Sequence, residues 1–362
     1  MFDLRSGTFN ATAQWLGRVG AALAQLQAGT RDFRYLNVGD SIATGMLGIT
    51  STTDHYAARA AQLTASSHGR RARRGLVAEG ATYDGGRIAV TGAGWRRDLT
   101  NGGYFGTGAY ELLPGGDALL TFTPGVPATS FSVSFDADAG IEYSVDGGVT
   151  WVRQDEPRAD FARLDIPVAL ASSALAIRAL DRGAPARIYS LDFAAAHEPS
   201  LTWFTSGIGG ARTTDLLAGL EANDERGFRA YGSAHPDLLT IEIGVNDTIH
   251  ADEVAKQESA DALRAIVRGL ATHGVRNIAL VGACPVRADY QPGPWRVADA
   301  YERIYRPVSL EFGIPLLEWC GRWGDWAQAD QLGFYADQVH PNRDGHWDAG
   351  AMVAGLLARA RG

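Results

Sequence analysis

The sequence contains only two cysteines among its 362 residues, and its basic residues do not outnumber its acidic ones. Cys284 and Cys320 are too few for a disulfide framework or a cysteine-rich metal site, so we expect two reduced, packed thiols, with one bridge between them as the alternative. The 33 basic and 41 acidic residues give a formal net charge of −8. Because phosphate binding normally needs a concentrated positive field, this balance argues against a nucleic-acid or anionic-membrane partner. The short basic run from Arg70 to Arg74 is predicted to be a solvated turn after a helix.

Long apolar runs are also missing. No segment approaches the ~20 apolar residues that a membrane-spanning helix requires. The first 29 residues lack the uninterrupted apolar stretch of a signal peptide, and their pattern predicts an amphipathic helix that ends at Gly29. We therefore predict neither a signal peptide nor a transmembrane segment. The compartment stays open between the cytoplasm and export by another route, which includes carriage on a phage particle.

The sequence does contain alternating apolar strands and amphipathic helices, in a globular composition of 46% hydrophobic and 20% charged residues. Near the N-terminus, Tyr35–Val38 predicts a strand, and a Gly-Asp-Ser turn and a helix around His55–Leu63 follow. After Pro199 the predicted strands are Leu201–Thr205, Leu238–Ile243, Asn277–Val281 and Pro315–Glu318. The predicted helices lie near Thr213–Ala222, Val254–His273, Val297–Phe312 and Arg343–Arg361. This alternation predicts an α/β fold with a doubly wound, mostly parallel sheet and a site at the carboxyl ends of its strands.

Residues 77 to 196 have a different pattern, in which short alternating runs replace the helical period. The runs are Leu119–Thr123, Ser130–Phe135, Ile141–Val145, Thr150–Arg153, Leu164–Val168, Leu175–Ala179 and Arg187–Phe193. Gly, Pro and Asp turn signals separate them, which is typical of an antiparallel sandwich or jelly roll. We therefore predict a catalytic domain of residues 1–76 and 197–362, interrupted by an all-β domain of residues 77–196.

The first candidate site is Gly39-Asp40-Ser41, directly after the strand Tyr35–Val38. A serine at a strand-to-helix turn can expose its Oγ atom, and its backbone N–H begins a helix N-terminus suited to an anion. An Asp-Ser pair in this position is more often a helix N-cap. Ser41 is therefore a candidate nucleophile whose assignment depends on its partners.

Two glycine-containing motifs follow later strands. Gly207 to Gly210 precedes a predicted helix, and such glycines allow a ligand to approach backbone N–H groups closely. The dinucleotide pattern G-x-G-x-x-G is incomplete, because Arg212 occupies its last position. In Gly244 to Asp247, a carboxamide at a strand end can donate N–H groups to an oxyanion. Each motif alone is also typical of an ordinary turn.

The fourth motif is Asp337-Gln338-Val339-His340-Pro341-Asn342, before the last helix. Its three-residue spacing allows a carboxylate and an imidazole to come from one loop, with Asp337 fixing the tautomer of His340 while the other ring nitrogen faces a nucleophile. Four such motifs in order after successive strands are hard to explain as turns alone.

Together these motifs resemble the SGNH hydrolases, also called the GDSL family. The resemblance implies a flavodoxin-like doubly wound parallel sheet. It places the named Ser, Gly, Asn and His of the family at Ser41, Gly210, Asn246 and His340, with Gly207 and Gly209 as neighbouring alternatives for the glycine. The sequence has Ile42 where the family often has Leu, which leaves the mechanism intact. The alternative α/β-hydrolase signature G-x-S-x-G is absent, because Ala43 occupies its last position.

The resemblance implies a serine esterase in which His340, oriented by Asp337, activates Ser41 and an acyl-enzyme forms. The backbone N–H groups of Ser41 and Gly210 and the side chain of Asn246 would hold the oxyanion. No cofactor is expected. No metal-ligand cluster is visible, because His250, Asp252 and Glu253 form a poor ligand set that is better explained as solvated loop charge.

The all-β insert resembles a carbohydrate-binding module, and four aromatic residues in it are candidates for stacking on sugars: Trp95, Tyr104, Tyr110 and Trp151. Core or turn packing is the competing interpretation of each. Similar inserts in the family imply an esterase that removes O-acetyl groups from an acylated glycan. The alternatives are a lipase, lysophospholipase or thioesterase with the same triad, and a non-catalytic glycan-binding or virion protein. The oligomeric state stays open.

Overall fold

The computed structural model describes residues 7–45, 48–49, 51–77, 87–98, 109–137, 140–154, 158–180, 183–195, 199–221, 227–250, 253–291 and 296–360. The chain forms two compact units. The first comprises Met1–Arg74, Ser200–Ala222 and His235–Gly362, and the second comprises Gly75–Pro199 and Asn223–Ala234.

In chain order, the elements before the all-β region are β1 (Thr8–Phe9), α1 (Ala13–Ala28), β2 (Phe33–Gly39), α2 (Ser41–Thr44), α3 (Tyr56–Ser67) and β3 (Ala72–Arg74). The all-β region contains β4 (Leu76–Val77), β5 (Ile88–Thr91), β6 (Trp95–Asp98), β7 (Ala109–Leu112), β8 (Leu119–Phe122), β9 (Ala128–Ala137), β10 (Ile141–Ser144), β11 (Val152–Gln154), β12 (Arg158–Ser172), β13 (Leu175–Ala179) and β14 (Ala186–Ala195). After it come β15 (Leu201–Gly207), α4 (Thr213–Glu221), α5 (Phe228–Ser233), β16 (Leu238–Glu242), α6 (Val245–His250), α7 (Glu253–Thr272), β17 (Ile278–Val281), α8 (Val297–Ala300), α9 (Arg306–Phe312), β18 (Leu316–Leu317), α10 (Trp319–Trp323), α11 (Trp326–Gln331) and α12 (Arg343–Arg359).

The first unit contains a seven-stranded sheet. In it β3, β15, β2, β16, β17 and β18 are parallel neighbours in this order, and β1 pairs with β18 antiparallel. Without the short edge strand β3, the parallel strands numbered along the chain have the order 2-1-3-4-5, which is the flavodoxin-like arrangement. This confirms the predicted fold class. The strand order reverses between β2 and β16, which is where ligands bind in such sheets.

Most of the predicted helices and strands of this unit are present, with small differences at their ends. Helix α1 ends at Gly29 as predicted, because Gly29 adopts a left-handed φ of 71° and caps the last carbonyl groups. The predicted helix Val297–Phe312 is divided by a π-helical turn at Tyr301–Tyr305. No described helix has the length and apolar character needed to span a bilayer. Both cysteines are free thiols, as expected.

The basic run from Arg70 to Arg74 corrects one prediction. Its last three residues form the edge strand β3, which pairs in parallel with β15, so the segment is not simply a solvated turn. Arg73 donates to the Ser200 hydroxyl at 2.6 Å and forms an ion pair with Asp32 at 3.1 Å. The charged composition of the segment led to the wrong prediction. Charged side chains such as these arginines also occur on the edge strand of a sheet, where they discourage further strand pairing.

The second unit contains two antiparallel sheets. One has the order β11-β10-β13-β8-β5, and the other has the order β12-β9-β14-β7-β6 with β4 added to β14. A single hydrophobic cluster includes Leu120 and Ile177 from the first sheet and Phe131 and Leu191 from the second. The sheets therefore share one core, which confirms the predicted all-β sandwich.

Candidate active site

The turn after β2 presents Ser41 at the first position of α2. Asp40 caps this short helix by accepting the Ile42 N–H at 2.9 Å. Ser41 itself is only 6% exposed. Gly39 is required here because a Cβ atom at this position would overlap the carbonyl oxygen of Glu242 on the neighbouring strand β16. The close approach of two strands thus fixes where the serine emerges.

Ser41 and His340 lie within hydrogen-bonding distance although they are far apart in the chain. The Ser41 Oγ and His340 Nε2 atoms are 3.1 Å apart, and His340 Nδ1 is 2.9 Å from Asp337 Oδ2. A carboxylate only accepts hydrogen bonds, so the Nδ1 atom carries the ring proton and Nε2 is left to accept the Ser41 hydroxyl proton. The structure thus brings together the three predicted residues in the order hydroxyl, imidazole, carboxylate.

The Asp337 carboxylate is held by its own loop. Its Oδ1 atom accepts the backbone N–H groups of Val339 and His340, each at 2.7 Å. Partial burial alone would raise the pKa of Asp337, but these two N–H groups and the His340 ring outweigh it and lower the pKa below its ordinary value. Asp337 therefore stays ionised and keeps the His340 ring in the orientation just described.

Contacts at both ends hold the loop that carries His340. The Ala336 N–H donates to the His340 carbonyl at 2.9 Å, and the Arg287 N–H donates to the Gln338 carbonyl at 3.1 Å. Asn342 accepts the N–H group of Asp344 at 2.9 Å and so caps α12. The loop is consequently anchored to the segment after β17 and to the last helix.

The predicted glycine and asparagine motifs contact each other. The Asn246 side chain donates one N–H to the Ala211 carbonyl at 2.9 Å. The Asp247 carboxylate accepts the N–H and hydroxyl groups of Thr213 at 2.9 and 3.1 Å. Burial raises the pKa of Asp247. These hydrogen bonds join the start of α6 to the start of α4, so each motif helps to fix the position of the other.

Two glycines of the second motif, Gly207 and Gly210, differ in their surroundings. A Cβ atom at Gly207 would overlap the Asp40 carbonyl oxygen, so this glycine allows β15 to pack against the nucleophile turn. Gly210 has a left-handed φ of 77° and open space around it, in a turn closed by the Ala211 N–H and the Ile208 carbonyl at 3.1 Å. A positive φ at this turn position favours glycine. Gly210 thus has more open space around it than Gly207.

Sequence reasoning missed the residues that hold the other end of α2. The His55 Nε2 atom lies 3.2 Å from the Ile42 carbonyl, and its Nδ1 atom accepts the Ala57 N–H at 3.0 Å. The Asn37 side chain donates to the Ala43 carbonyl at 3.2 Å. His55 is 1% exposed, and burial lowers its pKa to about 3. Neither residue belongs to a recognisable motif, because its role depends on tertiary contacts.

A family comparison supports the same interpretation. Residues 180–347 match the model of the GDSL-like Lipase/Acylhydrolase family, a span that includes Asn246 and the Asp337–His340 loop. This segment, which is less than half of the chain, is similar to the GDSL-like family. The match supports an ester hydrolase of the SGNH type.

Solved structures extend the comparison to the whole length of this hydrolase. A structure described as a peptidoglycan O-acetylesterase in action has a TM-score of 0.71 and 15% sequence identity, and the match covers 97% of this chain and 98% of that chain. A two-domain esterase active on acetylated mannans, co-crystallised with mannopentaose, has a TM-score of 0.46 and 12% identity, with coverage of 96% and 54%. The first similarity supports a shared fold, and the second is too distant to add to it. No curated protein matches this chain.

The aromatic residues proposed to bind sugars lie in the second unit of the hydrolase. Trp95 is 39% exposed, and Tyr110 is 5% exposed within the core, which leaves little of its ring for a sugar. The Arg178 guanidinium lies 4.0 Å from the ring centroid of Trp151 and covers one ring face. Tyr104 lies outside the described residues, as does Asp252 of the rejected metal set. Sugar binding by this group stays a prediction.

Proposed function

We propose that the protein is a serine esterase that removes O-acyl groups, specifically O-acetyl groups, from a glycan. The observation that carries this proposal is the hydrogen-bonded series Ser41 Oγ, His340 and Asp337, with separations of 3.1 and 2.9 Å. Nucleophile, base and orienting carboxylate in this order are what acyl transfer to a serine requires.

In the proposed reaction His340 Nε2 takes the Ser41 proton while Oγ attacks the acyl carbonyl carbon. The carbonyl oxygen becomes an oxyanion that accepts hydrogen bonds from the backbone N–H groups of Ser41 and Gly210 and from the second N–H of Asn246. The intermediate collapses as the bond from the acyl carbon to the sugar oxygen breaks and His340 gives its proton to that oxygen, so the sugar leaves with a free hydroxyl and an acyl-enzyme remains. Water then attacks the acyl-enzyme by the same steps in reverse, releasing the carboxylic acid and restoring Ser41.

The glycan substrate is supported by the sandwich in the second unit and by the overall fold shared with a protein described as a peptidoglycan O-acetylesterase. An acetyl group is small, so a site that takes it needs no long apolar channel. Lipase, lysophospholipase and thioesterase substrates need such a channel. The chain-length preference therefore separates the proposed function from its alternatives.

The test is hydrolysis of p-nitrophenyl esters from acetate to palmitate by the wild type and Ser41→Ala, followed by acetate release from acetylated peptidoglycan and mannan. Activity limited to short acyl chains and lost in Ser41→Ala supports the proposal, and Ser51→Ala provides a matched serine control. Preference for long chains would favour the lipid alternative. Absence of activity in a folded wild type, with glycan binding retained, would favour a non-catalytic binding protein.

A further inference from the structure

Two buried carboxyl groups lie beside the nucleophile turn. Asp40 directly precedes Ser41, and Glu242 is the last residue of β16; both are 0% exposed. Gly39 and Glu242 are register partners in the parallel pair β2 and β16, and the Asp40 N–H donates to the Glu242 carbonyl at 3.2 Å. The sheet therefore brings two carboxyl groups together at the point where the strand order reverses.

The hydrogen bonds available to these groups are incomplete. Asp40 Oδ1 accepts the Ile42 N–H at 2.9 Å. Asp40 Oδ2 and both carboxyl oxygens of Glu242 are buried and accept no well-formed hydrogen bond from an N–H or hydroxyl group of the described residues. Each of the two carboxyl groups shifts the pKa of the other, so the two side chains act on each other electrostatically. Two ionised carboxylates have no donor to share, so a hydrogen bond between them needs a proton on one.

Among the residues that the structure describes, no ion pair compensates the charge of either carboxylate. The other titratable groups that act on the pair are Asp247, Tyr56, Tyr305 and Cys284, none of which is a cation. Burial raises the pKa of Asp40 to about 7 and raises the pKa of Glu242 well above its ordinary value; the nearby backbone N–H groups of Gly244 and Ala43 offset only part of this. Two uncompensated charges in a buried site are strongly unfavourable, and retaining one proton removes one of them.

We propose that Asp40 and Glu242 share one proton, held on Glu242, and that Glu242 is thereby a positioning residue for Ser41. The Glu242 hydroxyl donates to Asp40 Oδ2, while Asp40 Oδ1 holds the Ile42 N–H at the first turn of α2. The pair then carries one negative charge, and a second charge here would oppose the oxyanion that forms on the substrate. The consequence for catalysis rests on the proposed role of Ser41 as nucleophile.

The proton itself is tested by infrared difference spectroscopy of the full-length wild type and Glu242→Gln at pH 7. We expect the wild type to show a C=O stretch of a protonated carboxyl group that is missing in the variant. An unchanged band would overturn the assignment. This measurement needs no activity, so it distinguishes failure of the shared proton from failure of the proposed esterase function.

The positioning role is tested by comparing Glu242→Gln with Glu242→Leu. The Gln amide can still donate to Asp40, so we expect kcat within about tenfold of wild type, whereas Leu cannot donate and should lower kcat by about 10²-fold, the loss that an ~1 Å displacement can cause, with little change in KM. Equal kcat values in the two variants would refute the role. If Glu242→Leu does not fold, the pH profile of Glu242→Gln decides.

That pH profile has a defined direction. In the wild type, kcat should fall at alkaline pH as the Asp40–Glu242 pair loses its shared proton. In Glu242→Gln, the alkaline limb of the pH profile of kcat should move to higher pH by at least about one unit, because the amide has no proton to lose there. Glu318→Gln is the matched control, since Glu318 is also buried but its charge is paired with Arg306 at 2.7 Å. Superimposable alkaline limbs for wild type and Glu242→Gln would contradict the proposal.

Discussion

In the proposed mechanism, the Asn246 side chain combines two tasks. One of its amide N–H groups holds the Ala211 carbonyl at 2.9 Å, which fixes the orientation of the amide. The other N–H remains able to donate to a substrate oxyanion. Because an amide nitrogen carries two hydrogens, no hydroxyl group could replace it in both tasks.

We expect Asn246→Ala to lower kcat by ~10²–10³-fold with a much smaller change in KM, because the lost donor acts mainly in the transition state. Steady-state kinetics on p-nitrophenyl acetate measure both constants. Asn277→Ala is the matched control, since Asn277 is a buried amide that donates to the Asp237 carbonyl at 2.9 Å, outside the proposed site. A normal kcat in Asn246→Ala would remove this residue from the oxyanion site.

Asp337→Asn tests the orientation of His340. An amide at this position would donate rather than accept toward Nδ1 and would favour the tautomer whose Nε2 atom carries the proton, so we expect kcat to fall by about 10⁴-fold. Single-turnover acylation by p-nitrophenyl acetate, with circular dichroism to verify folding, measures this loss. A loss below tenfold would mean that Asp337 does not orient the base in the reaction.

At the scale of elements, the strand ends of the parallel sheet were the most predictable part of the molecule. Mostly apolar runs such as Leu238–Ile243, which contains only Thr240 and Glu242 as polar residues, are typical of buried strands, and the polar motifs that follow them mark the carboxyl ends. The edge strands β1 and β3 were not predicted because they are only two and three residues long. They are strands because they form hydrogen bonds with the neighbouring strands β18 and β15. Glu242 also escaped, because its importance arises only when β16 lies beside β2.

We expect Gly39→Ala to destabilise the protein by about 1–3 kcal/mol or more, because its Cβ atom would overlap the backbone of β16, which cannot move without disturbing the sheet. Gly17→Ala is the control. Gly17 lies in α1 with open space around it, so alanine should stabilise the helix by about 0.5–1 kcal/mol. Urea unfolding midpoints compare the two, and equal midpoints would contradict the close packing at Gly39.

For the whole molecule, buried histidines link stability to pH. Burial lowers the pKa of His55 to about 3 and lowers the pKa of His346 well below its ordinary value. Because each folded pKa lies below the unfolded one, the unfolded chain binds these protons first as the pH falls, and the free energy of unfolding decreases from about pH 6.5 downward. The proposed proton on Glu242 acts in the opposite direction, because its raised pKa favours the folded state at low pH.

Replacing His55 with Asn should therefore reduce the acid sensitivity of the protein. We expect wild type to lose up to about 2 kcal/mol more than His55→Asn between pH 6.5 and pH 5, at about 1.4 kcal/mol per pH unit for one proton. The measurement is urea unfolding at pH 7 and pH 5 for both proteins. Parallel losses would show that His55 does not stay neutral in the folded state.

The separation of Ser41 and His340 by 299 residues also has a consequence for biosynthesis. At the usual translation rates of about 5–20 residues per second, roughly 15–60 s pass between synthesis of the proposed nucleophile and synthesis of its base. Throughout that interval the growing chain contains a serine that no imidazole activates. If the proposed triad is correct, the growing chain cannot hydrolyse acyl esters until His340 has been synthesised and its loop has folded beside Ser41.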